Sequence, residues 1–213
     1  MLPVASDRGW ETVSAMKIVV IGLLVGSVLG AWTSPMSGAD ARDSLQDALY
    51  RRFQPSRIEV ANPARRGMVT RYGQLLVLSV EGVPAKPFHV MQANPKAPVS
   101  HVMDFARIEV KADGSIQAEL GPLTLTKGTS LVVLEVALKG LRVHLLTHTA
   151  SPVAGPPGGA RVYGCTEFVF DVEPDVVSAG RADLVIERIE RWLAWTSGQR
   201  VCAPGIDPLC LEP

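Results

Sequence analysis

Apolar and polar positions change period several times along this chain. Leu45, Leu49 and Phe53 recur every fourth residue behind Asp43-Ser44. That spacing predicts a short helix with an N-cap at Asp43-Ser44, ended by Gln54-Pro55. Arg57–Val60 reads as a short strand closed by Asn62-Pro63. Gln74–Val80 follows Gly73 and is almost continuously apolar, the mark of a buried strand. Pro84, Pro87, Pro95 and Pro98 predict irregular chain over Val83–Pro98.

Two hairpins follow. Phe105–Lys111 alternates, Asp113-Gly114 supplies a turn, and Ile116–Leu120 returns. Ser130–Leu138 and Leu141–Thr149 flank Lys139-Gly140 in the same way, with Thr126–Thr129 between the hairpins. Ser151–Ala160 is a loop by composition, and Arg161–Val172 is a further strand. Ser178–Thr196 carries Leu184, Val185, Ile189, Trp192 and Leu193 at helical spacing, with Gly198 as its C-cap. Trp195 borders that apolar face, where it packs on the sheet or, if exposed, anchors a partner. These signals predict a mainly β (α+β) fold over residues 42–197. The expected form is a small β-barrel or open antiparallel sheet, with a short N-terminal helix and a packed C-terminal helix. Residues 198–213 form a Cys/Pro-rich tail.

The segment ahead of that domain has a different character. Met16-Lys17 precedes Ile18–Ala31, fourteen residues without a charge. A short positive start, an apolar stretch of this length and a small-residue boundary near Ala39-Asp40 make the secretory pattern. Residues 16–39 are therefore read as a signal peptide. Residues 1–15 carry Asp7, Arg8 and Glu11 and are read as an upstream mis-start or disordered extension. The alternative is an uncleaved membrane anchor over residues 18–36. It reaches spanning length only by including Thr33, Ser34 and Pro35. Gly22, Gly26 and Gly30 keep it open, because such a ladder packs transmembrane helices.

Composition narrows the partners. Lys+Arg and Asp+Glu are equal at 21 each among 213 residues, so no global field draws the chain onto nucleic acid or an anionic membrane. Charge is nonetheless segregated. Residues 42–71 hold seven arginines against three acids, and residues 161–191 hold seven acids against four arginines. Arg51, Arg52, Arg65 and Arg66 are the candidate basic patch for an acidic partner or lipid headgroups. The plainer alternative is two solvated faces that attract each other.

Candidate chemistry is sparse. Export would place the thiols in an oxidising compartment. Cys202 and Cys210 flank seven turn-rich residues and are the disulfide candidates, which leaves Cys165 as a small buried hydrophobe on its strand. His144 and His148 have the spacing of a helical metal pair. On a strand, about 3.3 Å per residue sets them too far apart to share an ion, and they are read with Arg142 and Leu146 as a polar outer face. The sequence contains no G-x-S-x-G, H-E-x-x-H, Walker loop or C-x-x-C. No catalytic residue, cofactor or metal is assigned.

The layout resembles that of many bacterial envelope proteins. It implies a periplasmic or secreted, non-enzymatic binding or assembly module with an envelope protein as partner and no nucleic acid. One alternative is an envelope hydrolase drawing on His101, Asp104, His144, His148 or Cys165 from separate segments. The other is a membrane-tethered subunit of an envelope complex.

Overall fold

The computed structural model describes residues 38–91, 103–155 and 159–195. Nearly all of the expected signal segment at residues 16–39, His101, and the expected disulfide pair Cys202 and Cys210 lie outside those residues. No described helix is long and apolar enough to cross a membrane.

The fold is mainly β: a curled half-barrel sheet with helices packed on its inner face. Helix α1 spans Gly38–Arg52. It is followed by β1 (Arg57–Ile58), β2 (Val69–Arg71), β3 (Leu75–Leu78) and β4 (Val83–Pro87). Next come β5 (Ala106–Val110), β6 (Ile116–Ala118), β7 (Leu123–Leu125), β8 (Ser130–Lys139), β9 (Arg142–Thr149) and β10 (Gly164–Asp171). Helices α2 (Pro174–Ser178) and α3 (Ala182–Glu190) precede the last described strand, β11 (Leu193–Trp195).

Both expected hairpins form, as β5–β6 and β8–β9. The main sheet runs β11-β3-β8-β9-β10-β4-β7, and β1–β2 make a separate two-stranded ribbon. One edge of β10 is divided: Gly164 and Cys165 pair antiparallel with β4, whereas Thr166–Phe170 pair parallel with β5. The sheet is therefore antiparallel except for β5–β10.

A bulge in β8 turns the sheet. The register with β9 shifts between Val133 and Glu135. An extra residue in one strand bends that strand and adds twist. It also flips the alternation: Leu131 and Val133 face the inner core before the bulge, and Val136 and Leu138 do so after it. Against this curl lie Leu45 and Leu49 of α1 and Phe53 just after it, Val177 of α2, and Val185 and Ile189 of α3, packed with Phe168 and Phe170.

Four local expectations are corrected. First, α1 begins at Gly38, upstream of the expected cap at Asp43-Ser44, because buried Ala41 extends the Leu45–Leu49 stripe and abuts Gly180. Second, the proline-rich stretch holds β4. That strand needs few ladder bonds, pairing with two residues of β10 and three of β7, while Val83 and Ala85 point into the core. Third, β7 and β2 arise in segments with no such expectation.

Fourth, Ser178–Thr196 is not one helix. Gly180 sits at φ +62° and closes α2: its N–H bonds Val177 O, and Arg181 N–H bonds Val176 O at 3.0 Å. That is the left-handed glycine cap. After Glu190 the chain straightens, and Leu193–Trp195 pair with Leu76–Leu78 to cover the open edge of β3. Leu184, expected on the buried face, is exposed.

Candidate functional site

The outer face of the sheet divides into two halves of opposite character. Along β9, side chains alternate strictly. Val143, Leu145, Thr147 and Thr149 face inward; Arg142, His144, Leu146 and His148 face out. Cross-strand pairing sets what each outward residue meets.

At the Arg142 end the neighbours are charged. Arg142 Nε and Asp171 Oδ1 form an ion pair at 3.1 Å, and Glu109 binds both Arg107, at 2.9 Å, and Lys111. His144 Nδ1 lies 2.7 Å from Glu167 Oε1. Lys111, with Arg107 and Arg142 behind it, holds the Glu109 carboxyl below the usual range; His144, then Arg107, does the same for Glu167. This half is a lattice of paired charges, within which Arg107 Nε and Asp171 Oδ1 lack a hydrogen bond among the described residues.

At the His148 end the neighbours are apolar. His148 pairs with Val132 on one side and Cys165 on the other. Leu75, Met103, Val132, Leu134, Leu146 and Cys165 form a second buried cluster on this face, flanked by Ile58, Val69, Tyr72, Phe88 and Phe105. The reading of His144 and His148 as one polar face is corrected here. His144 belongs to it, but His148 is 0% exposed.

Aromatic rings enclose His148. Its ring stacks on Tyr163 at 4.7 Å between centroids and meets Phe88 edge-on at 5.4 Å. Gly67, at φ +82°, closes over them; a Cβ there would stand 2.6 Å from the Tyr163 ring. Among the described residues neither imidazole nitrogen has a hydrogen-bond partner of good geometry, the nearest being the Thr149 backbone. Burial pushes the His148 pKa down to about 4, and the Thr149 backbone pulls the other way without offsetting it. Burial pushes the Cys165 thiol well above its ordinary range, and the Asp104 carboxylate adds to the effect. Asp104 is half-exposed and binds Lys86 at 3.1 Å; Lys86 in turn is the ladder partner of Cys165 on β4. Desolvation works against the Lys86 charge, but Asp104 and Glu119 keep it protonated.

Cys165 is thus set opposite His148 and near Asp104, from three segments, which no spacing in the sequence reveals. His144 stands apart, bound to Glu167. Among the described residues, no group of three His, Cys, Asp or Glu side chains is placed to hold a metal.

The remaining candidates fall elsewhere. Arg51 and Arg52 end α1, whereas Arg65 and Arg66 sit in the loop between β1 and β2. Arg66 Nε donates to Val60 O at 3.1 Å. Arg52 binds Glu190 and lies over Trp195. The basic and acidic segments therefore meet in at least one ion pair, and Trp195 packs within the sheet. Ala39 and Asp40, the expected cleavage boundary, occupy the first turn of α1.

Two adjoining hollows lie at the end of the sheet near the β8–β9 turn, with volumes of about 150 and 480 Å³. They share Val172 and Glu173, and exposed Leu184 lines one while exposed Leu141 lines the other. Lys139, Arg142, Arg188 and Arg191 stand around them.

Comparison with family models, with curated proteins and with solved structures returns no match to this chain.

Proposed function

We propose that this chain is a non-enzymatic binding or assembly module of the bacterial envelope. One observation carries the choice of module over hydrolase. The groups that hydrolysis would draw on are held in unreactive forms. Nucleophilic catalysis needs a thiolate within reach of a base and of substrate. Cys165 is buried with its thiol held protonated, His148 is sealed between aromatic rings, and His144 is committed to Glu167.

The surface assigned to binding is the pair of hollows flanked by Leu141 and Leu184. Two exposed leucines beside depressions, rimmed by charges of both signs, suit a protein segment with an apolar anchor. Export rests on the pattern of residues 16–39 and brings the envelope with it.

Two measurements test the reading. Residues 1–41 fused to a reporter active only outside the cytoplasm should direct its export; an inactive fusion removes the envelope assignment. A photo-crosslinking residue at Leu141 or Leu184 in cells should give one discrete adduct, with none from Ile116, which is exposed elsewhere. Adducts at neither leucine, or ester hydrolysis that disappears in Cys165→Ala, would overturn the module.

A further inference from the structure

Buried polar groups without partners are rare in folded proteins and call for an explanation. His148 has two such atoms, and they lie in the driest part of the outer face. Its cross-strand partner is Cys165, on the same face of the adjacent antiparallel strand. Facing residues of such strands have Cβ atoms about 4.5–5.5 Å apart. An imidazole nitrogen and a thiolate sulfur reach a common metal ion over that span with bonds of about 2.0–2.3 Å. Met103, 1% exposed, brings a thioether to the same buried cluster.

We propose that His148 and Cys165, with Met103 as a third donor, form a buried binding site for a soft monovalent metal ion, with copper(I) as the ion it takes. Thiolate, thioether and imidazole are the donors that favour copper(I) over hard cations. Charge selects in the same direction. On binding, the Cys165 S–H bond breaks, the sulfur bonds the metal, and the proton passes to solvent. One positive ion and one thiolate then leave the site neutral. A divalent ion would leave a net positive charge in a medium that penalises it heavily. The aromatic wall of Phe88 and Tyr163 excludes water and protects the reduced ion. Asp104, half-exposed, lies near enough to Cys165 to act on its thiol. This site lies outside the Leu141–Leu184 surface, and its failure leaves that reading untouched.

The test uses the full chain, reduced and anaerobic, with Cys202→Ser and Cys210→Ser so that only Cys165 carries a thiol. Copper(I) is titrated against a chromogenic chelator. The expected result is one ion withdrawn per chain, with X-ray absorption showing sulfur and nitrogen neighbours. Cys165→Ser and His148→Phe should each abolish the competition. Met103→Leu, which keeps the core filled, should weaken it about tenfold. Melting curves of the metal-free variants report whether each is folded; a variant that does not fold is replaced in the comparison by Met103→Leu. No withdrawal of copper by the parent, unchanged affinity in the folded variants, an oxygen-only shell, or tighter binding of zinc(II) would each overturn the proposal.

Discussion

The guanidinium of Arg52 lies 3.2 Å from the ring centroid of Trp195 and binds Glu190 at the same time. One side chain at the end of α1 thereby clasps both the last described helix and the last described strand. The site is partly exposed, so the ion pair contributes about 0.2–1 kcal/mol and the cation–π contact about 0.5–1 kcal/mol. Arg52→Ala should lower stability by about 1 kcal/mol in denaturant melts. Glu190→Gln should cost less, and its effect should vanish in high salt, because only the ion pair is screened.

His148 should make the protein sensitive to mild acid. Its folded pKa is about 4, whereas the unfolded imidazole titrates near 6.5. The unfolded chain takes up a proton that the folded chain refuses. The contribution is fully present above pH 6.5 and is lost as pH falls toward 4, to the extent of about 3 kcal/mol. His148→Phe should flatten this part of the stability-versus-pH curve. At neutral pH it should raise stability by about 1 kcal/mol, since two unpartnered buried atoms disappear. A variant whose acid limb matches the parent's would contradict this account.

Cys165 should be inert in the folded protein. With Cys202→Ser and Cys210→Ser, a thiol reagent at pH 8 should react only at the rate of global unfolding, and at once in denaturant. Gly67→Val should change that. The new side chain collides with Tyr163 at a backbone angle that disfavours any Cβ, so it should lift the aromatic cover and speed labelling at Cys165.

Gly180 gives a backbone test of the divided C-terminal helix. Its φ of +62° places it in the left-handed region, and Ala41 O would lie 3.3 Å from an added Cβ. Gly180→Ala should cost about 1–2 kcal/mol and lower Tm by roughly 2–8 °C for a domain of this size. A single continuous helix over 178–196 would instead gain from alanine there, so the sign of the change decides between the two.

The two hairpins were legible in the sequence because their information is local. Asp113-Gly114 marks the first turn, and Gly140 the second, which falls at Gly140-Leu141, one residue beyond the expected Lys139-Gly140; the alternation of Phe105–Lys111 assigns its faces. The stripe of Leu45, Leu49 and Phe53 likewise marks the helix that fills the curl. Where the sequence misled, a neighbour distant in the chain decided. Leu193–Trp195 keeps helical spacing with Ile189, yet becomes a strand because the edge of β3 is open beside it. Val83–Pro87 becomes a strand because β7 and β10 flank it. His144 and His148 lie on the same face of one strand, but Glu167 reaches the first diagonally and Cys165 stands opposite the second. One face of β9 is therefore charged at one end and dry at the other.

The sequence by itself determined a mainly β domain, since period and turn chemistry act within a few residues. Only the tertiary structure decided which histidine is buried, which cysteine it faces and which leucines stay exposed. Those outcomes depend on strand order, on the bulge in β8 and on the division of β10 between two neighbours. Each is set by packing among segments tens of residues apart, where no local pattern reaches.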